Sequence, residues 1–223
     1  MIPPLDILFE DDALLFVNKP AGVVVQQRTH HPDEPYLHAA VLRHTQPAYL
    51  MQRLDRGTSG VMFFSKRDDA NARLTRQFVR RGIRKRYLAI CEGELATRRT
   101  VDAPLARVGP ITFGIRETGR RAVTHVEPVH ATPRGSLLAI GLETGRTHQI
   151  RVHLASQGLP ILGDPVYGRA RAGLPAGVAL ARPALHAARL GFTHPVTAAR
   201  LVFEAPLPAD LAALADALAA AGS

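Results

Sequence analysis

The sequence has 223 residues, 46% of them hydrophobic and 5% aromatic, enough for one domain, or two intimate halves, around a real core. With 28 Lys and Arg against 19 Asp and Glu, the net charge of +9 points to a polyanionic partner, because phosphate neutralisation releases counterions. A lone cysteine, Cys91, excludes an internal disulfide and a thiolate-rich zinc site. No apolar run approaches the ~20 residues of a membrane span, and the N-terminus lacks a secretion pattern, so no membrane partner and a cytoplasmic location are expected.

Residues 6–10 and 13–18 read as two short strands around the Asp11-Asp12 turn, and Gly22 to Val25 reads as a third. The polar stretch 26–35 is expected to be a loop, and Leu37 to Thr45 a short helix. His30, His31, His38 and His44 match no familiar ligand spacing, so they read as solvated loop histidines. From Arg67 a helix is predicted, with Asp68 and Asp69 in its first turn and an apolar stripe of Ala70, Leu74 and Phe78. Gly82 is expected to end it as a left-handed cap. Between Arg73 and Arg86 stand seven Arg or Lys and no acid, with Arg73, Arg76 and Arg80 off the stripe, facing water or a polyanion's backbone.

Residues 84–91 alternate as a strand, with Tyr87, Ala89 and Cys91 on one face. Residues 96–121 read as loops with short strands. A hairpin over 122–131 and 136–144 turns at Pro133 to Gly135, and after Gly145 a helix is predicted that Gly158 closes. A turn or short strand at 160–163, a surface loop at 169–182 and strands at 184–192 and 198–204 follow. Leu211, Leu214 and Leu218 mark a final amphipathic helix. This order implies an α+β fold in a single domain, residues 1–223.

The chemistry concentrates in MQRLDRGTSGVMFFSK, residues 51–66, where Asp55 stands between Arg53 and Arg56 ahead of a Gly-Thr-Ser-Gly turn. Neighbouring cations would hold the carboxyl ionised, as a nucleophile at the mouth of a strand requires. Equally, an aspartate there can simply end one element and hydrogen-bond the turn.

RLDRGTSG resembles the RLD-x-x-TSG signature of the RluA-type pseudouridine synthases. RKRYLAICEG (84–93) is similar to that family's K-x-Y-x-A segment, and ETGRTHQIRVHLASQGLPILGDPVYG (143–168) to its long G-R-T/K-H-Q-I/L-R-x-H block. ALHAARLGFTHPVT (184–197) resembles its L-H-A…HP segment, and DDALLFVNKPAGVVV (11–25) its opening strands with the N-K-P-x-G turn. The likeness runs from about Ile7 to Pro206 with the motifs in order.

The resemblance implies a mixed, mostly antiparallel, bent central sheet of two similar halves, flanked by helices and loops around a basic cleft. It implies isomerisation of uridine to pseudouridine in structured RNA, ribosomal or transfer, with base flipping and no cofactor or metal; the lack of GxGxxG, P-loop and HExxH patterns agrees. By motif position Asp55 would be the nucleophile, Arg151 its cationic partner and Tyr87 the ring against the uracil. Ile150 would pack the base from the other side, and Arg53 would fill the gap left by flipping. Arg146 and His148, at a helix start, are placed to hold phosphate.

Lys19 and Lys66 are either RNA backbone contacts or ordinary surface lysines, the surface reading ranking first. Gln52 stands where the family usually carries histidine. The small S4-like domain of many relatives is expected to be absent, and a monomer that binds no DNA is expected. Two other readings stay open: a silent RNA-binding module of the same fold, and a glycosidase pairing Asp55 with a second acid. For the second acid only Asp164 offers, and it reads more simply as a Gly-Asp-Pro turn.

Overall fold

The computed structural model describes residues 3–27, 29, 31–169 and 180–220. In chain order its elements are β1 (Ile7–Glu10), β2 (Leu14–Lys19), α1 (Leu37–His44), β3 (Tyr49–Leu50), β4 (Ser59–Ser65), α2 (Asp68–Val79), β5 (Arg84–Glu92) and β6 (Arg99–Asp102). Then come β7 (Leu105–Arg107), β8 (Phe113–Ile115), β9 (Val123–Thr132), β10 (Gly135–Leu142), α3 (Gln149–Ser156), β11 (Leu185–Thr193), β12 (Arg200–Glu204) and α4 (Ala209–Ala220). The fold is α+β, with a mixed, mostly antiparallel sheet and helices flanking it. Two compact units divide the chain, Met1–Lys85 with Ala187–Pro206, and Arg86–His186 with Leu207–Ser223.

In the first unit β2 pairs with β1 on one side and β4 on the other, all antiparallel, and β11 pairs with β12. Every residue of β4 is buried, as a continuous apolar run predicts for a strand covered on both faces. Register places Phe16 opposite Phe63, and their rings stack at 5.3 Å. Phe192 and Phe203 complete the stack on Phe16, at 5.5 and 3.9 Å. Helix α2 lays Ala70 and Leu74 on this cluster. Its C-terminus is a Schellman turn: Arg81 N–H donates to Phe78 O and Gly82 N–H to Gln77 O. The left-handed residue is Arg81, at φ 56°, and not the expected Gly82. Gly22 to Val25 forms no strand; Val24 makes only an isolated bridge to Tyr36.

In the second unit β5, β10, β9 and β6 pair antiparallel in that order, while β7 and β8 form a separate hairpin. The predicted hairpin at Pro133 to Gly135 is the β9–β10 connection. Strand β5 buries Ala89, Ile90 and Cys91 alike, so both its faces are covered there. Helix α4 lays down Leu211, Leu214 and Leu218 as its period predicted. The loop expected over 169–182 lies mostly outside the described residues.

Candidate active site

The loop that carries Asp55 is pinned from both sides. Lys19 has no exposed surface, and its ammonium donates to the carbonyls of Pro20 at 2.8 Å, Val23 at 2.8 Å and Arg56 at 3.3 Å. Three carbonyl dipoles offset the cost of burying that charge. Gly22 N–H donates to Arg56 O, and Arg56 Nε returns a bond to Gly22 O at 3.0 Å. The N-K-P-x-G turn and the RLDRG loop are thus one clamped piece. Lys19 is therefore a buried strut, where the sequence had ranked it as a surface residue. Lys66 is held as well, by Glu10 at 2.7 Å and Asp11 O at 2.8 Å.

Downstream of Asp55 the chain is equally fixed. Thr58 N–H donates to the backbone carbonyl of Asp55 at 3.0 Å, closing a turn there. Gln52, buried, donates to Val61 O at 3.1 Å, so the residue standing for histidine anchors the loop to β4. Gly60 lies at φ 116°, and a Cβ there would overlap the Ala187 carbonyl of β11; the last glycine of the TSG signature is needed for that approach. Asp55 itself is half-buried and Arg53 exposed. The Arg56 guanidinium reaches Glu34 at 2.9 Å.

In the second unit Tyr87 sits on β5 opposite Ile140, 7% exposed. Just before it, on β5, Lys85 lies over the Phe78 ring at 5.1 Å, and burial pushes its ammonium down to about 8. Helix α3 is buried from Gln149 through Leu154, so Arg151 is no surface arginine and Ile150 is 5% exposed.

Gln149 builds the start of that helix. Its carbonyl accepts from Thr144 Oγ1 and Arg146 N–H, and its amide donates to Val123 O and Thr124 Oγ1. All its hydrogen-bonding capacity is used. His153 continues the network. Its Nε2 must donate to the Ala103 carbonyl, so Nδ1 accepts from Thr124. Desolvation by burial holds the His153 pKa below its ordinary value, outweighing the Ala103 bond and the charge of Asp102.

His148, at the N-cap, is left-handed with φ 56°, and its Nδ1 meets the Tyr167 hydroxyl at 2.8 Å. Arg146 donates Nε to Arg121 O, and partial burial, aided by Arg120, lowers its pKa. Local bonds thus engage the Arg146 N–H and the His148 ring that the sequence offered to phosphate.

Arg151 makes a bidentate pair with Asp164, Nε to Oδ2 and Nη2 to Oδ1, each at 2.7 Å. Asp164 Oδ1 also accepts the N–H groups of Val166 and Tyr167, so the turn that the sequence recognised doubles as a carboxylate mount. Burial alone would raise the Asp164 pKa. The Arg151 guanidinium and the two N–H groups overcome it and hold the carboxyl below its ordinary range. A residue so held cannot serve as the general acid of a glycosidase, which needs a raised pKa. Tyr167, unnoticed in sequence, covers the Arg151 guanidinium at 5.0 Å from Cζ to ring centroid. The sequence signal for Tyr167 was its place in the GDPVYG end of the third motif.

Residues 13–156 match the family described as RNA pseudouridylate synthase, a span holding Asp55, Tyr87 and Arg151. The chain belongs to the RNA pseudouridylate synthase family. These enzymes are isomerases that convert uridine in RNA to pseudouridine. The ribosomal large subunit pseudouridine synthase D of Zymomonas mobilis is 42% identical over 93% of this chain and 71% of its own length. Its Nitrosomonas europaea counterpart is 41% identical over 96% of this chain and 65% of its own length. Among solved structures, human RNA pseudouridylate synthase domain containing 4 superposes with a TM-score of 0.78 at 25% identity, covering 96% of this chain and 92% of that one. Among the described residues no helix is long and apolar enough to cross a membrane.

Proposed function

We propose that this pseudouridylate synthase, acting as one catalytic domain, isomerises uridine in ribosomal RNA. Similarity to large-subunit synthases favours ribosomal over transfer RNA. The observation that carries the reading is the clamped loop. Lys19, Gly22, Gln52 and Gly60 serve to hold Asp55 at one geometry, the preorganisation that a nucleophile needs.

In this reading Asp55 promotes cleavage of the N1–C1′ bond, either by adding to the sugar or base or by assisting glycal formation. The detached uracil turns and rejoins C1′ through C5, the C5 proton passes to a base and then to water, and N1 takes up a proton from water. Tyr87 lies against the uracil and is a candidate for that proton step, with Ile150 on its other side. Arg151 offsets the negative charge of Asp55, Arg53 stabilises the vacated stack, and Arg146 and His148 approach phosphate. The reaction needs no redox or energy input and no cofactor.

Outside these residues, Arg76, Arg80 and Arg84 stand exposed on α2, at its C-cap and at the start of β5, suited to the phosphate backbone of a folded RNA. We propose a cytoplasmic monomer.

The test is tritium release from ribosomal RNA carrying [5-³H]uridine, taken from a strain lacking the protein. Release by wild type and none by Asp55→Asn is expected. Release by both would remove Asp55 from the chemistry. Salt-sensitive RNA binding without release by either would favour a silent binding module, and liberation of free uracil a hydrolase.

A further inference from the structure

We infer that Asp164 and Tyr167 are positioning residues that set the guanidinium of Arg151 for the reaction and tie it to the β7–β8 hairpin. The inference rests on the role of Arg151 in the proposed function, and it deepens that role.

A guanidinium is a planar fork of five donors, so its usefulness depends on where its edges face. Asp164 takes the Nε–Nη2 edge with two charge-assisted bonds of 2.7 Å. That fixes the plane and directs the Nη1 side toward any second acceptor. The ring of Tyr167 then closes one face of the fork, at 5.0 Å. Arg151 is 6% exposed and the Asp164 side chain has no exposed surface, so water does not loosen the pair.

Tyr167 is itself held at three points. Its N–H donates to Asp164 Oδ1 at 3.1 Å, its hydroxyl accepts the Phe113 N–H of β8 at 2.8 Å, and the same hydroxyl meets His148 Nδ1. The Phe113 and His148 rings meet edge-on at 5.6 Å. Displacing the β7–β8 hairpin therefore pulls on the ring that covers Arg151. Ile111, 65% exposed between β7 and β8, with exposed Arg107 and Arg116 close to it in the chain, gives that hairpin an outward surface.

A buried ion pair could instead serve folding alone, and the experiment separates the two roles. Single-turnover tritium release at saturating RNA, RNA affinity and thermal unfolding are measured for wild type, Asp164→Asn, Tyr167→Phe and Tyr167→Leu. Asp164→Asn and Tyr167→Phe are also made in an Arg151→Lys background.

Misplacing a reacting group by ~1 Å costs about 10²-fold, the loss expected in rate for Asp164→Asn with RNA affinity unchanged within about threefold. Tyr167→Phe keeps the ring and loses the hydroxyl, for an expected loss of about threefold to tenfold, and Tyr167→Leu loses more. In the Arg151→Lys background both losses should shrink to near nothing, because the residue they act through has changed. Losses that persist undiminished there, or an Asp164→Asn rate within threefold of wild type, overturn the positioning role. Should Asp164→Asn not fold, Tyr167→Phe decides, by whether its loss persists undiminished in the Arg151→Lys background. No release by wild type overturns the proposed function and the inference together, whereas normal wild-type release with indifferent variants overturns the inference alone.

Discussion

Seven of the eight phenylalanines lie in the first unit, four of them paired with Phe16, whereas the second unit has only Phe113. In its interior the second unit instead holds Gln149, Arg151, His153 and Asp164, each hydrogen-bonded to a named partner. The phenylalanine cluster of the first unit coheres by area and shape, which change gradually when a side chain is trimmed. The second coheres by matched donors and acceptors, where losing one partner leaves another buried without compensation. Each unit fixes a candidate residue by its own means: a lysine strut under the Asp55 loop in one, a carboxylate mount for Arg151 in the other.

The contrast predicts different responses to conservative changes. Phe16→Ala should cost about 3–5 kcal/mol, while Phe63→Leu, which keeps most of the volume, should cost well under half of that. In the second unit Asp164→Ala should also cost about 3–5 kcal/mol, because it removes the carboxylate that takes two donors of a buried guanidinium. Urea unfolding of the four proteins (wild type included) checks the pattern, and a cheap Asp164→Ala would erase the distinction between the two interiors. Gln149→Leu, near in size, should still cost about 2–3 kcal/mol through the partners it strands at Thr144, Arg146 and Val123.

Acid should act on the polar interior. His153 is held neutral in the fold, so between its lowered folded pKa and the ordinary value of ~6.5 the unfolded chain binds more protons. Stability is then complete above that ordinary value and falls as the pH drops through the folded one. The urea midpoint of wild type should fall from pH 7.5 to pH 5 by more than that of His153→Gln. Asp164 acts in a lower window. Its depressed pKa contributes stability that is present above ~3.9 and lost as the pH falls through the folded value.

The smallest effect belongs to the first unit. Arg81 occupies a left-handed position that glycine adopts without strain, so Arg81→Gly should raise stability by about 0.5–1 kcal/mol. A lower melting temperature for that variant would mean that the Arg81 side chain matters more than its backbone.

Legibility followed the same division. The apolar runs of β2 and β4, the Ala70–Leu74–Phe78 stripe and the leucines of α4 gave their elements, because periodicity reports which face meets a core. The end of α2 was misplaced by one residue: composition favours Gly82 for the left-handed turn, while hydrogen bonding of the last carbonyls put it at Arg81. Gly22 to Val25 has strand-like residues, yet the chain there is drawn into turn bonds with Arg56 and Lys19.

At the site, the ordered motifs were sufficient for family membership, and they named Asp55, Tyr87 and Arg151 as candidates. They could not say that Lys19 is buried, since lysine is almost always exposed and nothing local marks the three carbonyls awaiting it. Nor could they say that Asp164, thirteen positions from Arg151, closes on its guanidinium. Local sequence carries turn chemistry and period, which act over a few residues. Pairing of buried polar groups is decided by which distant segments the packed core brings together, and only the tertiary structure contains that choice.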